Sequence, residues 1–342
     1  MAAIQLCTGQ KIGDYKKPYF VAEMNSSHNG NIETAKKMID AASEAGCDAV
    51  KFQSWSADSL YSKTYYSKNP IAKRMVGKFA LSEDALTIIA DYCREKHIGF
   101  SSTPYSNEEV DLLVKLQAPY IKVASMDLNN LLFLKYIGEK GLPIVLSTGM
   151  GTLDEIHKAV DVIEKTGNSQ ICILHCVSIY PVDSNKVNLN NIRMLRQEFQ
   201  DYPIGYSDHT IGSEIACAAV AFGAAIIEKH FTLDNSKIGW DNQMAMEPGK
   251  MKKLIQKCLS VYEGLGSFGR VVSKEELEQR RKMRRSIVAK CDLEEGHIIR
   301  IDDLDSKRPG DGISPEQYED IIGKRTICTI KKDEMFNGGM FV

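Results

Sequence analysis

The chain has 342 residues, with 43 lysines and arginines against 45 aspartates and glutamates, and 43% of its residues are hydrophobic. This composition is typical of a globular protein, and a formal net charge of −2 gives no overall attraction to nucleic acid or to an anionic membrane. We therefore expect no nucleic acid partner and no membrane partner, and we expect any anionic ligand to be held by local groups. At about 150 residues per domain, the length allows two ordinary domains or one large α/β barrel.

The nine cysteines are an odd number without a Cys-x-x-Cys pair, and most of them lie in apolar runs. We interpret them as reduced, buried residues. The N-terminal segment lacks the basic stretch and apolar run of a signal peptide, and no apolar stretch reaches the roughly 18 residues of a membrane span. These features predict a cytoplasmic protein.

Eight short apolar runs recur along the chain, and each has the length and composition of a strand buried on both faces. In chain order they are PYFVAEMN, DAVKFQSW, GFSSTPY, YIKVAS, PIVLSTGM, ICILHCVS, PIGYSDHT and AIIEKHFT. Amphipathic segments of helical period lie between most of them, many opened by a Ser, Asn or Thr that can cap a helix. Eight such units, with no Gly-x-Gly-x-x-Gly after the first strand, predict an α/β fold of the (β/α)8 TIM barrel type.

Two segments interrupt this order. After Gln53, about 25 residues precede the next helix, and a long connection on this side of a barrel commonly belongs to the active site or its lid. After Gly266, a charged helical stretch leads into short strand-like pieces and turns. We therefore predict a barrel at residues 1–265, a linker at 266–284 and a second domain at 285–342, which is small for an independent core.

Polar side chains stand at the C-terminal end of every predicted strand, where barrel enzymes hold their active sites. Lys51 and Lys122 lie in otherwise apolar strands, and a buried ammonium group requires a partner. The neighbouring strand ends carry four hydroxyls, those of Ser102, Thr103, Ser125 and Ser147. Two lysines among hydroxyls suit a ligand with a phosphate and a carboxylate.

Two histidines end neighbouring strands, His209 the seventh and His230 the eighth. Strand alternation puts Glu228 on the same side of its strand as His230. Because His209 ends the neighbouring strand, the two imidazoles can meet within bonding reach of one metal ion. We therefore expect a divalent metal, although a single histidine in a strand is more often structural. His175 remains a candidate core residue, and three others are expected to face solvent, namely His97, His157 and His297.

Other interpretations stay open on the residues alone. Lys51 can be the Schiff-base amine of an aldolase, which needs no metal. Cys176 is expected to be a packed residue rather than a nucleophile, because alternation turns it away from His175. The run EELEQRRKMRR is interpreted as a solvated linker helix rather than a nucleic acid patch.

The chain resembles the sialic acid synthase family, which makes N-acetylneuraminate, legionaminate and pseudaminate, in an ordered set of motifs. These are AEMNSSHNG, VKFQS, FSSTPYS, IKVASMDLNN, LSTGM, LHCVSIYP, IGYSDHT and EKHFTLD. The tail, with SKRPGDG and IIGKRT, is similar to that family's antifreeze-like (SAF, β-clip) domain. The resemblance implies metal-dependent condensation of phosphoenolpyruvate with an open-chain N-acylated hexosamine, which gives a 2-keto-3-deoxy nonulosonic acid and phosphate by C–O cleavage.

The resemblance also implies roles by position. The residues that would bind phosphoenolpyruvate are Lys51, Thr103, Lys122, Ser125, Ser147 and Ser207. His209 and His230 would hold the metal, usually Mn²⁺, with Mg²⁺ or Co²⁺ as alternatives. The implied catalytic set is Glu23, His209, His230 and Asp241, and the sugar would face Gln53, Ser178, Tyr180 and Arg308. In the family the small domain is swapped across a homodimer, so Arg308 would reach the partner's sugar site.

One segment departs from the family pattern. After EKHFTLD, members commonly continue with Gly-Pro/Ser-Asp-His and then SLEP, whereas this chain reads IGWDNQMAMEP. Asp241 is kept, but Asn242 stands for the histidine and Ala245 for the serine. We therefore expect an acceptor other than N-acetylmannosamine, such as another N-acylated, deoxy or otherwise modified hexose. A non-catalytic sugar-binding role, suggested by the antifreeze-like tail, would instead predict a rim poor in polar side chains.

Overall fold

The structure is a computed structural model that describes residues 1–237 and 239–342. It contains two compact units, Met1–Gly266 and Ser267–Val342. In the described part of the chain, no helix is both long and apolar enough to cross a membrane. The nine cysteines are free, and Cys7 and Cys291 are exposed, so the expectation that the cysteines are buried is wrong for these two.

The first unit begins with an antiparallel hairpin of two strands, β1 (Ala3–Gln5) and β2 (Lys11–Gly13). Ile4, Leu6 and Ile12 are buried together with side chains of the barrel interior, among them Tyr19 and Val145. The hairpin therefore closes the barrel at the end away from the strand C-termini. Sequence analysis did not predict it, because each of its strands has only three residues.

Eight parallel strands form the main sheet, which is a nearly closed barrel. They are β3 (Tyr19–Glu23), β4 (Ala49–Gln53), β5 (Gly99–Thr103), β6 (Ile121–Val123), β7 (Ile144–Ser147), β8 (Ile171–Cys176), β9 (Ile204–Asp208) and β10 (Ile226–His230). The ladder runs from β5 through β3 and β10 to β6, and β3 and β10 pair in parallel. At the seam between β5 and β6, Ser101 Oγ donates to the carbonyl oxygen of Tyr120 at 3.1 Å. The predicted (β/α)8 fold is confirmed.

Helices alternate with the barrel strands along the chain and follow the last of them. They are α1 (Ile32–Ala45), α2 (Ala57–Leu60), α3 (Lys63–Lys68), α4 (Pro70–Phe79), α5 (Glu83–Glu95), α6 (Asn107–Lys115), α7 (Leu131–Gly138), α8 (Leu153–Glu164), α9 (Asn190–Glu198), α10 (Glu214–Ala221) and α11 (Pro248–Leu265). The caps expected from sequence are present at several starts, where the side chains of Asn31, Ser82, Ser106 and Thr152 accept backbone N–H groups. These hydrogen bonds satisfy donors that the first helical turn leaves free.

The long connection after Gln53 is helical rather than a loop, since it contains α2, α3 and α4. Its apolar side chains form a small core of Trp55, Tyr66, Val76 and Phe79. Burial of these side chains stabilises short helices that would be marginal alone. The three helices are called the helical insertion below.

The second unit contains helix α12 (Lys274–Met283) and a two-stranded antiparallel sheet of β11 (Ser286–Ala289) and β12 (Leu304–Lys307). The charged run is helical and exposed, as expected for a solvated linker helix. The strand-like pieces HIIRI and RTICTI form isolated bridges instead of strands, such as Ile298 with Arg325. The unit buries an apolar cluster of its own, which includes Ile287, Leu293 and Phe336.

Candidate active site

The C-terminal ends of the barrel strands surround a cavity of about 430 Å³. Every barrel residue proposed from the sequence lines it, namely Glu23, Lys51, Gln53, Thr103, Lys122, Ser125, Ser147, Ser178, Tyr180, Ser207, His209, His230 and Asp241. Ser102 is fully buried behind them and shares a hydrogen bond of 2.5 Å with Ser54 Oγ. Strand ends from the whole circumference therefore contribute to one site.

Two lysines and two glutamates form a charge cluster at the bottom of this cavity. Lys51 Nζ lies 2.6 Å from Glu23 Oε2 and 3.6 Å from Glu228 Oε2. Lys122 Nζ lies 3.9 Å from Glu228 Oε1 on the other side. All four side chains are buried, so each charge is neutralised within the cluster rather than by water.

The pKa values of these four groups are shifted in different directions. Burial alone would lower the pKa of Lys51, but the carboxylates of Glu228 and Glu23 outweigh it and raise the pKa. Burial lowers the pKa of Lys122, and the nearby carboxylate of Glu228 only partly offsets this effect. Repulsion from Lys51 lowers the pKa of Lys122 as well. Burial raises the pKa of Glu23, whereas the two lysines hold the pKa of Glu228 below its usual range. Lys51 is therefore a firmly protonated cation, and Glu23 is a stronger base than an exposed carboxylate.

Hydroxyls surround the cluster. Lys122 Nζ donates to Ser147 Oγ at 2.5 Å, and Lys51 Nζ donates to Thr103 Oγ1 at 3.3 Å. Ser207 Oγ donates to Glu228 Oε1 at 2.9 Å. An anion at this point would meet two ammonium groups and several neutral donors, the combination that phosphate and carboxylate groups bind.

His209 and His230 lie side by side at the cavity rim, with ring centroids 5.3 Å apart. His209 Nδ1 lies 2.6 Å from the carbonyl oxygen of Val177 and must donate to it, so Nε2 carries the lone pair of the ring and lies 3.5 Å from Ser207 Oγ. Burial lowers the pKa of both rings, so both are neutral. Among the described residues, His230 Nδ1 is buried without a hydrogen-bond partner, although Asp241 Oδ2 lies 3.7 Å away.

These properties fit a divalent metal. Neutral imidazole is a common ligand of divalent transition metals, and an orphaned buried ring nitrogen is explained by an ion that uses it. The described residues contain no group of three or more His, Cys, Asp or Glu side chains arranged around one ion. A bound metal would therefore take two protein nitrogens and complete its coordination with water or substrate oxygens.

Hydrogen bonds hold the predicted side chains in place, and two of the partners, Tyr105 and Asn25, were not among the proposed site residues. Gln53 Nε2 donates to Glu23 Oε1 at 2.8 Å, and its Oε1 accepts from Tyr105 Oη at 3.1 Å. Asn25 Nδ2 donates to Asp241 Oδ2. Glu228, recognised from strand alternation, was not included among the proposed site residues, although its position two residues before His230 carries the same signal.

Cys176 lines the cavity, with its Sγ 3.2 Å from Ser125 Oγ and 3.1 Å from the amide nitrogen of Gly149. His175 points the other way, where its Nε2 lies 2.8 Å from the carbonyl oxygen of Val187. The predicted alternation of these two residues is therefore confirmed. Of the remaining histidines, His97 is exposed, His157 is half-buried and His297 bonds Asp303 Oδ2 at 2.7 Å.

Arg308, the sugar-binding residue expected from the tail, belongs to the second unit. It is exposed, and it directly follows strand β12. A role for Arg308 at the barrel site therefore remains a proposal.

Comparisons with known proteins match this architecture. Residues 38–270 match the model of the NeuB family, and residues 284–342 match that of the SAF domain. N,N'-diacetyllegionaminic acid synthase of Campylobacter jejuni is 38% identical over 94% of this chain and 99% of its own length. Human N-acetylneuraminate-9-phosphate synthase is 32% identical over 97% of this chain and 94% of its own length.

A solved structure is similar as well. The sialic acid synthetase of Leptospira borgpetersenii, crystallised with citrate, superposes with a TM-score of 0.75 at 31% identity, over 81% of this chain and 96% of that one. The matched family model spans most of the barrel, and the similarity to whole synthases extends through the tail. The chain therefore belongs to the NeuB family and carries a SAF domain at its C-terminal end.

Proposed function

We propose that this enzyme condenses phosphoenolpyruvate with the open-chain aldehyde of an N-acylated hexosamine, which yields a nonulosonic acid and phosphate. The observation that carries the proposal is the cluster of Lys51, Lys122, Glu23 and Glu228, ringed by hydroxyls beside a neutral histidine pair. The relatives, which are synthases of legionaminic acid and of N-acetylneuraminate 9-phosphate, support it.

Phosphoenolpyruvate would lie at the bottom of the cavity. Lys51 and Lys122 supply two positive charges for its phosphate and carboxylate. Four hydroxyl-bearing residues would complete the anion site, namely Thr103, Ser125, Ser147 and Ser207. Ser178, which also lines the cavity, is assigned to the sugar.

The acceptor would lie above phosphoenolpyruvate, facing Gln53, Tyr180 and Asp241. A divalent ion held by His209 and His230, which we propose to be Mn²⁺ with Mg²⁺ or Co²⁺ as alternatives, would act as a Lewis acid at this point when bound. Tyr180 packs against His209 with ring centroids 4.2 Å apart and so keeps the ring in place. Asp241 accepts a hydrogen bond from Asn25, and its Oδ2 lies 3.7 Å from Nδ1 of His230.

The reaction balances with water as the other reactant. C3 of phosphoenolpyruvate forms a bond with the aldehyde carbon, and C2 becomes electron-poor and takes up water. Loss of phosphate by C–O cleavage then gives the 2-keto group. Glu23 is the base that we assign to that water, because burial raises the pKa of its carboxyl and Gln53 and Asn25 fix its orientation.

We also propose that the enzyme works in the cytoplasm as a homodimer, in which Arg308 of one protomer reaches the acceptor in the barrel of its partner. The nine free cysteines support a reducing compartment. Light scattering tests the dimer, because a monomeric mass would remove this role of Arg308.

Phosphate release from phosphoenolpyruvate, measured with a series of N-acylated aldoses, tests the function. We expect release to require an acceptor, to stop after treatment with EDTA and to return with Mn²⁺. Calorimetry with Mn²⁺ alone should show binding that is lost in His209→Ala. If no acceptor gives phosphate and Mn²⁺ does not bind, a non-catalytic sugar-binding role would replace the proposal.

A Schiff-base aldolase is the other catalytic hypothesis. The raised pKa of Lys51 makes this amine a poor nucleophile. Lys122, whose pKa burial lowers, would then be the reactive lysine. Reduction with borohydride in the presence of pyruvate distinguishes the two mechanisms, because a labelled Lys51 or Lys122 would refute the condensation mechanism.

A further inference from the structure

The two tryptophans of the chain meet at the rim of the cavity. The ring centroids of Trp55 and Trp240 are 5.3 Å apart, and Phe79 of the helical insertion packs edge-on against Trp240 at 5.6 Å. Tyr105 packs against Trp55 at 6.1 Å from the other side. Trp55, Trp240, Tyr105 and the neighbouring Tyr61 line the cavity and are called the aromatic wall below.

The wall is held in a fixed position. Trp55 is only 3% exposed and belongs to the core of the helical insertion. Trp240 is 43% exposed, and the segment that carries it is anchored by Asn242. Asn242 Nδ2 donates to the carbonyl oxygens of Asp234 at 2.7 Å and Lys237 at 2.8 Å, and Asn242 Oδ1 accepts from Ser27 Oγ at 2.8 Å. An exposed tryptophan side chain on a fixed backbone is suited to bind a ligand.

Charge is distributed unevenly between the bottom and the rim. Among the described residues that line the cavity, the cations are Lys51 and Lys122, and both are buried in the strands. The aromatic wall lies beyond the strand ends, and Asp241, a cavity-lining carboxylic acid, directly follows Trp240 in the chain. The lysine that contacts this region, Lys78, lies 5.5 Å from the ring centroid of Phe79 and does not line the cavity. The face of an aromatic ring is electron-rich and attracts cations, so it repels an anion.

We propose that the far end of the acceptor sugar packs against the aromatic wall, which selects an uncharged sugar whose distal carbons carry a methyl or acylamino group. This assignment deepens the proposed function and rests on it. Such groups bury apolar area on the rings without leaving a hydroxyl unpaired. A 6-phosphate at the same point would meet aromatic faces and the Asp241 carboxylate. Trp240 is thus the specificity-determining residue.

Tryptophan emission gives a direct binding test, because both tryptophans of the chain belong to the wall. The probes are 2,4-diacetamido-2,4,6-trideoxymannose, N-acetylmannosamine and N-acetylmannosamine 6-phosphate, each titrated with phosphoenolpyruvate present. We expect the trideoxy, diacylated sugar to change the emission at the lowest concentration and the phosphorylated sugar to do so at the highest. The reverse order would overturn the assignment.

The variant Trp240→Ala tests the residue itself. We expect it to lower kcat/KM about tenfold for the diacylated sugar, as for a lost apolar contact in a specificity pocket, and to leave the KM for phosphoenolpyruvate unchanged. Trp240→Phe should retain most of the preference. Ile71→Ala, at an exposed position of the same helical insertion that does not line the cavity, is the matched control. An unchanged KM for phosphoenolpyruvate also shows that the variant is folded.

The outcomes separate this assignment from the proposed function. No phosphate release with any of the three sugars would refute the function and the assignment together. Phosphate release that is fastest with the 6-phosphate, or that Trp240→Ala lowers equally for all three, would leave the function standing and overturn the assignment alone.

Discussion

Glu228 is the residue whose removal tests the charge cluster most directly. It lies between the two buried lysines, 3.6 Å from Lys51 and 3.9 Å from Lys122, and accepts a hydrogen bond from Ser207. In Glu228→Gln, the size of the side chain and the acceptor for Ser207 are retained, whereas the negative charge is lost. The substitution therefore isolates the electrostatic contribution.

The structure sets the magnitude. At an effective dielectric constant of about 20, each of these two pairs is worth about 4–5 kcal/mol of attraction. Glu23 still compensates Lys51, so the main loss is an uncompensated ammonium at Lys122, and breaking a buried pair in this way costs about 3–5 kcal/mol. We expect the free energy of unfolding to fall by that amount at pH 7.

The expected pH dependence follows from the same group. Without Glu228, the pKa of Lys122, already lowered by burial, would fall further below its value in the unfolded chain. The folded variant would then bind fewer protons than the unfolded variant, so its stability rises with pH. The difference in unfolding free energy between the wild type and the variant should therefore become smaller from pH 7 to pH 9.

Urea unfolding followed by far-UV circular dichroism measures these quantities, with and without phosphoenolpyruvate. If the ligand binds as proposed, it supplies the missing negative charge and should stabilise the variant more than the wild type. Glu139→Gln is the matched control, because Glu139 lies 3.9 Å from Lys135 in an ion pair that is exposed. Its loss should cost less than about 0.5 kcal/mol. Equal losses in the two variants would refute the reasoning.

Three further substitutions test other parts of the barrel unit. Burial lowers the pKa of His28 to about 4, so stability falls as the pH is lowered from about 6.5 to 4. His28→Asn keeps an acceptor for the amide of Gly30. At pH 4.5 this variant should avoid about 3 kcal/mol of the loss in unfolding free energy, measured by urea unfolding. An unchanged dependence of the unfolding free energy on pH would contradict this. In Gly149→Ala, the new methyl group would lie 2.3 Å from Ser178 Oγ and 2.8 Å from Ser125 Oγ, so phosphate release should fall about tenfold. Gly249→Ala, whose methyl group meets no atom of the described residues within 4 Å, should keep full activity. Asn242→Ala loses its three hydrogen bonds and should lower the free energy of unfolding by about 1–3 kcal/mol, with a shift in tryptophan emission that an undisturbed wall would not show.

The barrel could be predicted because strands buried on both faces leave a strong signal in sequence. All six residues of β8 are buried, so the run ICILHC is continuously apolar apart from one histidine. The parallel ladder also keeps the strand ends level, as Gln53 pairs with Thr103 and His230 with Glu23. Residues at the ends of consecutive strands therefore converge, and their meeting could be foreseen.

Contacts across the barrel could not be foreseen in the same way. Lys122 on β6 lies opposite Glu228 on β10, and these strands are not neighbours in the sheet. Which interior residues meet depends on the tilt and stagger of all eight strands, which no local pattern records. The sequence therefore required a partner for each buried lysine without identifying it.

The segment around Trp240 illustrates how a departure from a family pattern can be reinterpreted through its contacts. From sequence, Asn242 in place of histidine suggests a changed sugar contact. In the structure Asn242 is only 3% exposed, and its hydrogen bonds go to the backbone of its own segment and to Ser27. Its role is thus to fix the backbone on which Trp240 stands. If the aromatic wall binds the acceptor as proposed, Asn242 acts on the acceptor through Trp240, and Asn242→Ala and Trp240→Ala should change the same acceptor preference.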